Sequence, residues 1–196
     1  MADDETLGVY AERADEYASL TFGADADAGL GFIKDGLPKG ADILDLGCGP
    51  GHMAAHLRDK GFNVTASDAS AEMAAVAMES YGIDVQVAGF SDLAAVDAYD
   101  AILASFSLLH APKADMPGHL AAIKRALRPG GRLVIGLKTG QGEKRDRLGR
   151  FYAYYTDAEL TGLLEAAGFE VAERRTGEGK GLDGSIAPWI VMRCDG

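Results

Sequence analysis

Residues 43–51 read ILDLGCGPG, a short apolar segment that leads into a turn with glycine at every second position. Glycine tolerates positive φ and lets a ligand approach the backbone, and a helix that begins after such a turn offers unpaired N–H groups. In a parallel sheet covered by helices, ligands bind at the carboxyl ends of the strands. The stretch therefore predicts a ligand site at the first strand-to-helix turn, although tight turns also use glycine for purely structural reasons.

The rest of the chain alternates strand patterns with helical patterns. Short apolar segments lie at residues 41–47, 62–68, 83–89, 99–107, 132–138, 169–175 and 187–195. Helical patterns separate most of them, but only the glycine-rich TGEGKGLDGS lies between the last two. This alternation predicts an α/β fold, a Rossmann-like seven-stranded, mostly parallel sheet with helices on both faces and an antiparallel last strand.

Length and composition indicate one globular domain of 196 residues, with an N-terminal helical cap over residues 1–36 and a cofactor-binding core over residues 37–196. Residues 6–20 have helical periodicity, and a loop rich in Gly, Ala and Asp is expected to follow them. Two interpretations are open for Tyr10 and Tyr17 on that helix: they reach a bound cofactor, or they only pack against the core.

Charge and the absence of export signals limit the classes of function that the sequence allows. The net charge is -11, which opposes loose binding to nucleic acid or to an anionic membrane. Residues 124–150 depart from this balance, with 9 basic and 2 acidic side chains. No apolar run approaches the roughly 18 residues of a membrane span, and the acidic start lacks the features of a signal peptide. We expect a cytoplasmic protein whose Cys48 and Cys194 are free thiols.

The second predicted strand ends in Asp68, 17 residues after Gly51. An acidic side chain at this place can accept hydrogen bonds from both hydroxyls of an adenosine ribose. The G-x-G-x-G spacing of the turn differs from the G-x-G-x-x-G of dinucleotide-binding oxidoreductases, which disfavours that class.

Together these residues resemble the class I S-adenosylmethionine-dependent methyltransferases, from about residue 37 to the end of the sequence. The resemblance implies S-adenosylmethionine as cofactor and S-adenosylhomocysteine as product. It implies contacts to the cofactor from Asp45, Gly47, Gly49, Gly51, Asp68, Ala69, Met73, Phe90, Ser91 and Asp92, with Cys48 packed beneath it. The third-strand turn reads GFSDL where many relatives have a Gly-Asp pair.

Methyl transfer is an in-line displacement in which the cofactor supplies the activated carbon, so the protein chiefly positions the acceptor. The loop after the fourth strand, SFSLLHAP, places Ser105, Ser107 and His110 near the methyl group. For His110 two interpretations are open: a general base or acceptor-positioning group, or a histidine that only packs.

Residues 138–157 form a long connection without a core pattern, and they combine basic with aromatic side chains. Connections this long are often functional, so we predict a lid over an anionic or planar acceptor, with Arg150 and Tyr154 as its contacts. The alternative is a solvated loop whose aromatics dock the next helix.

Three functions are compatible with the sequence. The first is a small-molecule methyltransferase, monomeric or homodimeric, in a bacterial branch whose acceptors are mostly unassigned. The second is a tRNA methyltransferase, because GRFYAYYTDAEL is loosely similar to wobble-uridine enzymes. The third is a cofactor-binding module without catalysis. No metal site is predicted, because His52 and His56 have the spacing of a chelating pair but no third ligand.

Overall fold

The computed structural model describes residues 3–18 and 24–196. Its main sheet has seven strands in the order β3-β2-β1-β4-β5-β9-β8, and a separate two-stranded sheet pairs β6 with β7. The strands are β1 (Asp42–Leu46), β2 (Asn63–Asp68), β3 (Val85–Val87), β4 (Tyr99–Ser105), β5 (Leu127–Lys138), β6 (Glu143–Arg145), β7 (Phe151–Ala153), β8 (Glu170–Lys180) and β9 (Ile186–Asp195).

The strand directions confirm the predicted sheet. Strand β1 pairs in parallel with both β2 and β4, and β4 pairs in parallel with β5. Strand β9 runs antiparallel to β5 and to β8. The strand order reverses at β1, so a crevice opens between the carboxyl ends of β1 and β4, where ligands bind in sheets of this kind.

Helices cover both faces of the sheet. They are α1 (Asp4–Glu12), α2 (Ala14–Ala18), α3 (Ala24–Lys34), α4 (His52–Asp59), α5 (Ala71–Tyr81), α6 (Met116–Ala126) and α7 (Asp157–Ala166). Ile43 of β1 packs with α3 and α4, whereas the next residue, Leu44, packs with α6 and α7, as the pleat of a strand requires. Among the described helices, none has the length and apolar character needed to cross a membrane.

The helix expected over residues 6–20 is broken in the structure, and its last two residues lie outside the described ones. Arg13, with φ -123° and ψ 22°, leaves the helical conformation between α1 and α2. In one continuous helix Tyr10 and Tyr17 would be about 10 Å apart along the axis. The break brings their ring centroids to 5.4 Å, so both tyrosines face the same space.

The loop expected before the core is largely replaced by α3. Ala28, Phe32 and Ile33 are buried against the sheet beside Ile43 and Leu57. Glycine and aspartate lower the helix propensity of this segment, and burial of its apolar face overrides that preference. Helix α3 therefore belongs to the layer that covers the sheet, whereas α1 and α2 lie over the carboxyl ends of the strands.

Two other segments are more ordered than their sequences suggested. The connection 138–157 contains the β6–β7 hairpin and buries Tyr152 and Tyr155. The glycine-rich stretch before β9 continues β8 as far as Lys180. Gly177 lies opposite Trp189 in this pair, and a Cβ at Gly177 would approach the indole ring to 2.5 Å. Because Gly177 has no side chain, the indole of the neighbouring strand fits against it. Composition alone does not reveal this pairing.

Candidate active site

A cleft of about 150 Å³ lies at the carboxyl ends of β1, β2 and β4, beneath α1 and α2. The cleft is lined by Leu7, Tyr10, Tyr17, Asp45, Gly47, Cys48, Gly49, Pro50, His52, Met53, Asp68, Ala69, Ser70, Met73, Phe90, Ser105, Phe106, Ser107 and His110. Most of the residues that the sequence singled out therefore surround one space.

The glycine turn adopts the left-handed backbone that its sequence predicts. Gly47, Gly49 and Gly51 have φ of 75°, 53° and 79°. A Cβ at Gly47 would lie 2.3 Å from the Cβ of Ser107, so β1 and β4 meet here without room for any side chain. Gly51 is the N-cap of α4 and packs on Ala77 outside the cleft. Its role in the structure is to position the start of that helix.

Asp45 is the most unusual polar side chain in the cleft. It is 1% exposed, and its Oδ2 atom has no hydrogen-bond partner among the described residues. Burial, together with the negative charge of Asp68, raises the pKa of Asp45 to about 7. A buried carboxylate with one unpartnered oxygen is suited to a cationic group of a ligand, so the site fits a sulfonium compound that also carries an ammonium group.

This pKa predicts opposite effects of Asp45→Asn on stability and on ligand binding. Since the folded state keeps a proton on Asp45 that the unfolded state releases near pH 4, the free energy of unfolding falls as the pH rises from about 4 to 7. The substitution should raise the free energy of unfolding by about 2 kcal/mol at pH 8 and by much less at pH 4. It should also weaken S-adenosylmethionine binding about 10-fold or more.

Urea titrations at both pH values and calorimetry measure these effects. An equal stability change at pH 4 and pH 8 would show that the charge of Asp45 does not oppose folding.

Asp68 joins the end of β2 to the glycine turn. Its Oδ2 accepts a hydrogen bond from the Gly49 N–H at 2.8 Å, and its Oδ1 accepts one from the Ser70 N–H at 2.9 Å. Burial raises the pKa of Asp68, and hydrogen bonds from backbone N–H groups work against that shift. The carboxylate is thus held in one orientation at the rim of the cleft, although its predicted contact to a ribose stays a prediction.

On the adenine side, three of the predicted residues line the cleft and two do not. Ala69, Met73 and Phe90 face it. Ser91 and Asp92 are exposed in a 3₁₀ turn, where Asp92 accepts a hydrogen bond from the Gly89 N–H at 2.8 Å. The short turn directs both side chains outward, so the structure does not bring them to the site.

The end of β4 contributes a residue that sequence reasoning missed. Phe106 has φ 55°, which is rare for a residue with a side chain, and its ring packs on Gly136, where a Cβ would lie only 3.0 Å away. Such strain is concentrated at functional sites. No local pattern in SFS marks this residue. Its neighbour Ser107 donates a hydrogen bond to the carbonyl of Leu46 at 2.6 Å.

His110 belongs to a chain of hydrogen bonds that begins on α1. The Tyr10 hydroxyl lies 2.8 Å from His110 Nε2, and His110 Nδ1 lies 2.7 Å from the carbonyl oxygen of Phe151. Because a carbonyl only accepts, Nδ1 carries the proton, and Tyr10 donates to Nε2. Burial, with a contribution from Arg150 and Lys138, lowers the pKa of His110 to about 4. The imidazole is therefore neutral at pH 7.

Arg150 lies behind Tyr10 rather than in the cleft. It is 1% exposed, donates to the Tyr10 hydroxyl at 3.0 Å and donates to Asp146 Oδ2 at 2.6 Å. Tyr154 also lies outside the cleft, with the Lys144 ammonium 4.8 Å from its ring centroid. The structure therefore brings His110 to the site but gives neither Arg150 nor Tyr154 the direct acceptor contact that was expected.

Acidic side chains neutralise part of the predicted basic lid. Arg145 lies 3.2 Å from both Asp3 and Glu5 of the region around α1, and Arg147 lies 3.8 Å from Asp183. With Asp146 beside Arg150, three of the arginines have carboxylate partners. Residues 138–157 thus hold α1 against the rest of the protein.

His52 and Cys48 complete the wall of the cleft. Burial, with an electrostatic contribution from His56, lowers the pKa of His52 to about 4, whereas burial raises the pKa of the Cys48 thiol. At neutral pH both side chains are uncharged. Within residues 3–18 and 24–196, no group of three or more His, Cys, Asp or Glu side chains is placed to hold a metal ion.

Comparison with protein families assigns the chain to one family. A family model described as "Methyltransferase domain" matches residues 26–174, which is most of the chain. An uncharacterized methyltransferase of Staphylococcus carnosus is 30% identical over 123 residues, covering 63% of this chain and 58% of that protein. A malonyl-[acyl-carrier protein] O-methyltransferase of Pectobacterium atrosepticum is 39% identical over 103 residues, covering 52% of this chain and 39% of that protein.

The chain thus spans between two fifths and three fifths of the length of these two relatives. Among solved structures, the Burkholderia thailandensis 1,6-didemethyltoxoflavin-N1-methyltransferase with bound 1,6-didemethyltoxoflavin and S-adenosylhomocysteine has a TM-score of 0.80 and 24% identity. The match covers 97% of this chain and 87% of that one. At this identity the similarity concerns the fold.

Proposed function

Since the chain belongs to the class I S-adenosylmethionine-dependent methyltransferases, we propose that it transfers a methyl group from S-adenosylmethionine to a small-molecule acceptor bound in the cleft. The observation that carries the proposal is the buried, unpartnered Oδ2 atom of Asp45 beside the glycine turn, because a cationic ligand would compensate it. The bound cofactor supplies an activated methyl carbon and a good leaving group.

Different residues would bind different parts of the cofactor. Asp68, at the end of β2, would accept hydrogen bonds from the ribose hydroxyls. Ala69, Met73 and Phe90 would enclose the adenine. Gly47 and Gly49 leave the backbone bare beside Asp45, where the methionine portion would lie. These assignments follow the family pattern and agree with the lining of the cleft.

The remaining lining residues would bind the acceptor and exclude water. Tyr10 and Tyr17 stand over the cleft on α1 and α2, and their rings meet edge to face with centroids 5.4 Å apart. Phe106 and Ser107 form the floor at the end of β4. Holding the acceptor in line with the methyl group supplies most of the rate enhancement in such a reaction, because little other chemistry is needed.

The acceptor is proposed as a small molecule, without the anionic character that the basic lid suggested. Arg145 and Arg150 are held by Asp3, Glu5 and Asp146, which reduces the positive charge that this segment can offer to an acceptor. The names of the relatives include a malonyl-[acyl-carrier protein] O-methyltransferase and ubiquinone biosynthesis O-methyltransferases. They agree with transfer to metabolites but do not select an acceptor atom.

Calorimetry with S-adenosylmethionine and S-adenosylhomocysteine tests the proposal directly. We expect both to bind in the micromolar range, and we expect NAD to give no heat above dilution. A methyl-transfer assay with labelled cofactor against a metabolite extract should then yield a labelled product of low mass. A protein that binds neither compound, or binds NAD more tightly, would contradict the proposal.

The same assay separates the two other functions. For a tRNA methyltransferase the label would appear in RNA, and tRNA binding would weaken steeply with added salt. The ion pairs of the basic segment make this outcome unexpected. For a cofactor-binding module, the protein would bind the cofactor and label nothing.

A further inference from the structure

A second groove, of about 520 Å³, lies between helix α6 and the turn that follows β3. One wall is formed by Phe90, Ser91 and Leu93, and the other wall is one face of α6. Phe90 also lines the cleft, so its ring separates the groove from the candidate cofactor site. The buried ring of His119 on α6 contacts Phe90 edge to face, with ring centroids 5.6 Å apart. A group that fills the groove would therefore support one wall of the cleft.

The outward face of α6 lacks the polar side chains that a surface helix normally presents to water. Between residues 115 and 125 the exposed residues are Pro117, Gly118 and Ala121. Lys124, the one charged residue in that interval, donates instead to the carbonyl of Gly168 at 2.9 Å. Helix α7, by comparison, exposes Glu159 and Glu165. An outward face of this composition indicates contact with another chain.

Four residues of α6 line the groove at a spacing of three, four and three positions: Asp115, Gly118, Ala122 and Arg125. This is the spacing of residues that face a partner helix in a two-helix pair. Asp115 has helical φ and ψ of -88° and -18°, so the row is continuous at its start. The row has opposite charges at its ends and small residues between them, and it is symmetric about residue 120.

That symmetry makes the row complementary to a second copy of itself. In an interface with a two-fold axis, residue i of one protomer contacts residue j of the other, and j contacts i. Two antiparallel α6 helices centred on residue 120 would place Asp115 opposite the partner's Arg125, twice. Gly118 would lie opposite the partner's Ala122, also twice. A protein of unrelated sequence would match this row only by chance.

The end charges are able to form these pairs. Arg125 donates from Nη2 to the carbonyl of Leu93 at 2.9 Å, and it forms no ion pair with a carboxylate of the described residues. Asp115 already has an interaction of its own, but a carboxylate has room for further donors. His119 is 6% exposed and lines the groove, and its Nε2 has no hydrogen-bond partner among the described residues. Since buried polar atoms are normally paired, a single protomer leaves this groove incomplete.

Gly118 gives an independent indication. A Cβ at Gly118 would meet no atom within 4 Å, so packing inside the protomer does not require a glycine there. Glycine in the middle of a helix lowers its stability. A second helix that crosses α6 at this point would benefit from it, because a residue without a side chain lets another backbone approach closely.

We propose that the protein forms a two-fold symmetric homodimer in which the two α6 helices pack antiparallel across this groove. Asp115 and Arg125 form ion pairs between the protomers. Helices of about 16 Å bury a small area, so we expect a dissociation constant in the micromolar range. The partner's helix also covers the turn after β3 and supports Phe90 from the side away from the cleft. This last effect on the cofactor site rests on the proposed function, whereas the dimer itself does not.

A charge exchange in the full chain tests the register of the two helices. Sedimentation equilibrium between about 1 and 200 μM should show a monomer–dimer equilibrium. Arg125→Asp and Asp115→Arg should each raise the dissociation constant about 10-fold or more, because like charges then face each other. An equimolar mixture of the two variants should dimerise like the unsubstituted protein, because opposite charges face each other again. The control Lys180→Asp, at the exposed end of β8, should change the constant by less than about 2-fold.

A pair of glycine substitutions separates dimerisation from folding. Gly118→Gln and Gly162→Gln each place a better helix former at an exposed helical glycine whose Cβ would meet no atom within 4 Å. Both variants should unfold at a higher urea concentration. Only Gly118→Gln should weaken the dimer, by about 10-fold, because its side chain keeps the two helices apart.

The link to the cofactor site is tested in the same experiment. Saturating S-adenosylhomocysteine should tighten the dimer by about 3-fold or more, since Phe90 borders both spaces. A protein that stays monomeric, a mixture of charge variants that stays monomeric, or a Gly118→Gln variant that dimerises normally would overturn the proposed interface. Bound S-adenosylhomocysteine that leaves the dimer unchanged would overturn the link through Phe90. Failure of S-adenosylhomocysteine to bind would instead contradict the proposed function, and the dimer would still be decided by the charge exchange.

Discussion

Replacing Asp68 with alanine should weaken S-adenosylhomocysteine binding by about 100-fold or more. The carboxylate is expected to accept two hydrogen bonds from the ribose, and a hydrogen bond to a charged group contributes roughly 1.5 to 3 kcal/mol. The substitution also removes the partner of the Gly49 and Ser70 N–H groups, so the glycine turn is held to β2 only by the backbone hydrogen bonds from Gly47 and Cys48 to Ser67. Calorimetry gives the change in dissociation constant.

The matched control is Asp84→Ala, since Asp84 is exposed in the loop before β3 and does not line the cleft. It removes the same charge next to β3, the strand that pairs with β2, so a purely long-range effect of charge would appear in both variants. We expect its dissociation constant to stay within about 2-fold of that of the unsubstituted protein. If Asp68→Ala weakened S-adenosylhomocysteine binding by less than about 10-fold, other residues would have to bind the ribose.

Replacing Arg150 with methionine should destabilise the fold by about 3 to 5 kcal/mol. The substitution leaves the carboxylate of Asp146, whose side chain is 6% exposed, without its guanidinium partner. It also removes the donor that holds the Tyr10 hydroxyl. Since Arg150 supports Tyr10 from behind and does not itself line the cleft, the main effect is on the free energy of unfolding, which urea denaturation measures.

Two further variants test whether the lower free energy of unfolding comes from the buried ion pair. Arg147→Met, on the same segment, changes an arginine whose side chain is 74% exposed and lies 3.8 Å from Asp183. Asp183 keeps the hydrogen bonds that it accepts from the Ser185 N–H and hydroxyl, so this substitution should cost less than about 0.5 kcal/mol. The double variant Asp146→Asn, Arg150→Met should recover a substantial part of the loss, because no unpaired charge stays buried. A single Arg150→Met variant as stable as Arg147→Met would show that the buried pair contributes nothing.

The sequence predicted the candidate site best where its residues lie close together along the chain. The glycine turn and Asp68 lie within a single strand-helix-strand unit, so their spacing predicts their proximity, and the structure places Gly47, Gly49 and Asp68 around one cleft. The alternation of strands and helices likewise predicted the sheet, because parallel strands need a crossover of fixed kind.

The acceptor side could not be predicted in the same way. Tyr10 is separated from His110 by 100 residues and from Arg150 by 140, and no periodicity relates positions so far apart. The basic residues of the predicted lid were recognisable, but their carboxylate partners near α1 and in the turn after β8 were not. The sequence thus showed the charges without showing that they are paired. Phe106 was missed because positive φ in a phenylalanine has no sequence signature.

The docking of α1 has a consequence for the order in which the protein is synthesised. Helix α1 leaves the ribosome early, whereas Arg145, Arg150 and Phe151, which hold it through Asp3, Tyr10 and Thr6, follow about 140 residues later. At roughly 5 to 20 residues per second, this interval lasts between about 7 and 30 seconds. The strands that carry Asp45 and Asp68 emerge well within it. Helix α1 and the strands that carry Asp45 and Asp68 are therefore made well before the residues that hold α1, and α1 can dock only after translation has passed β7.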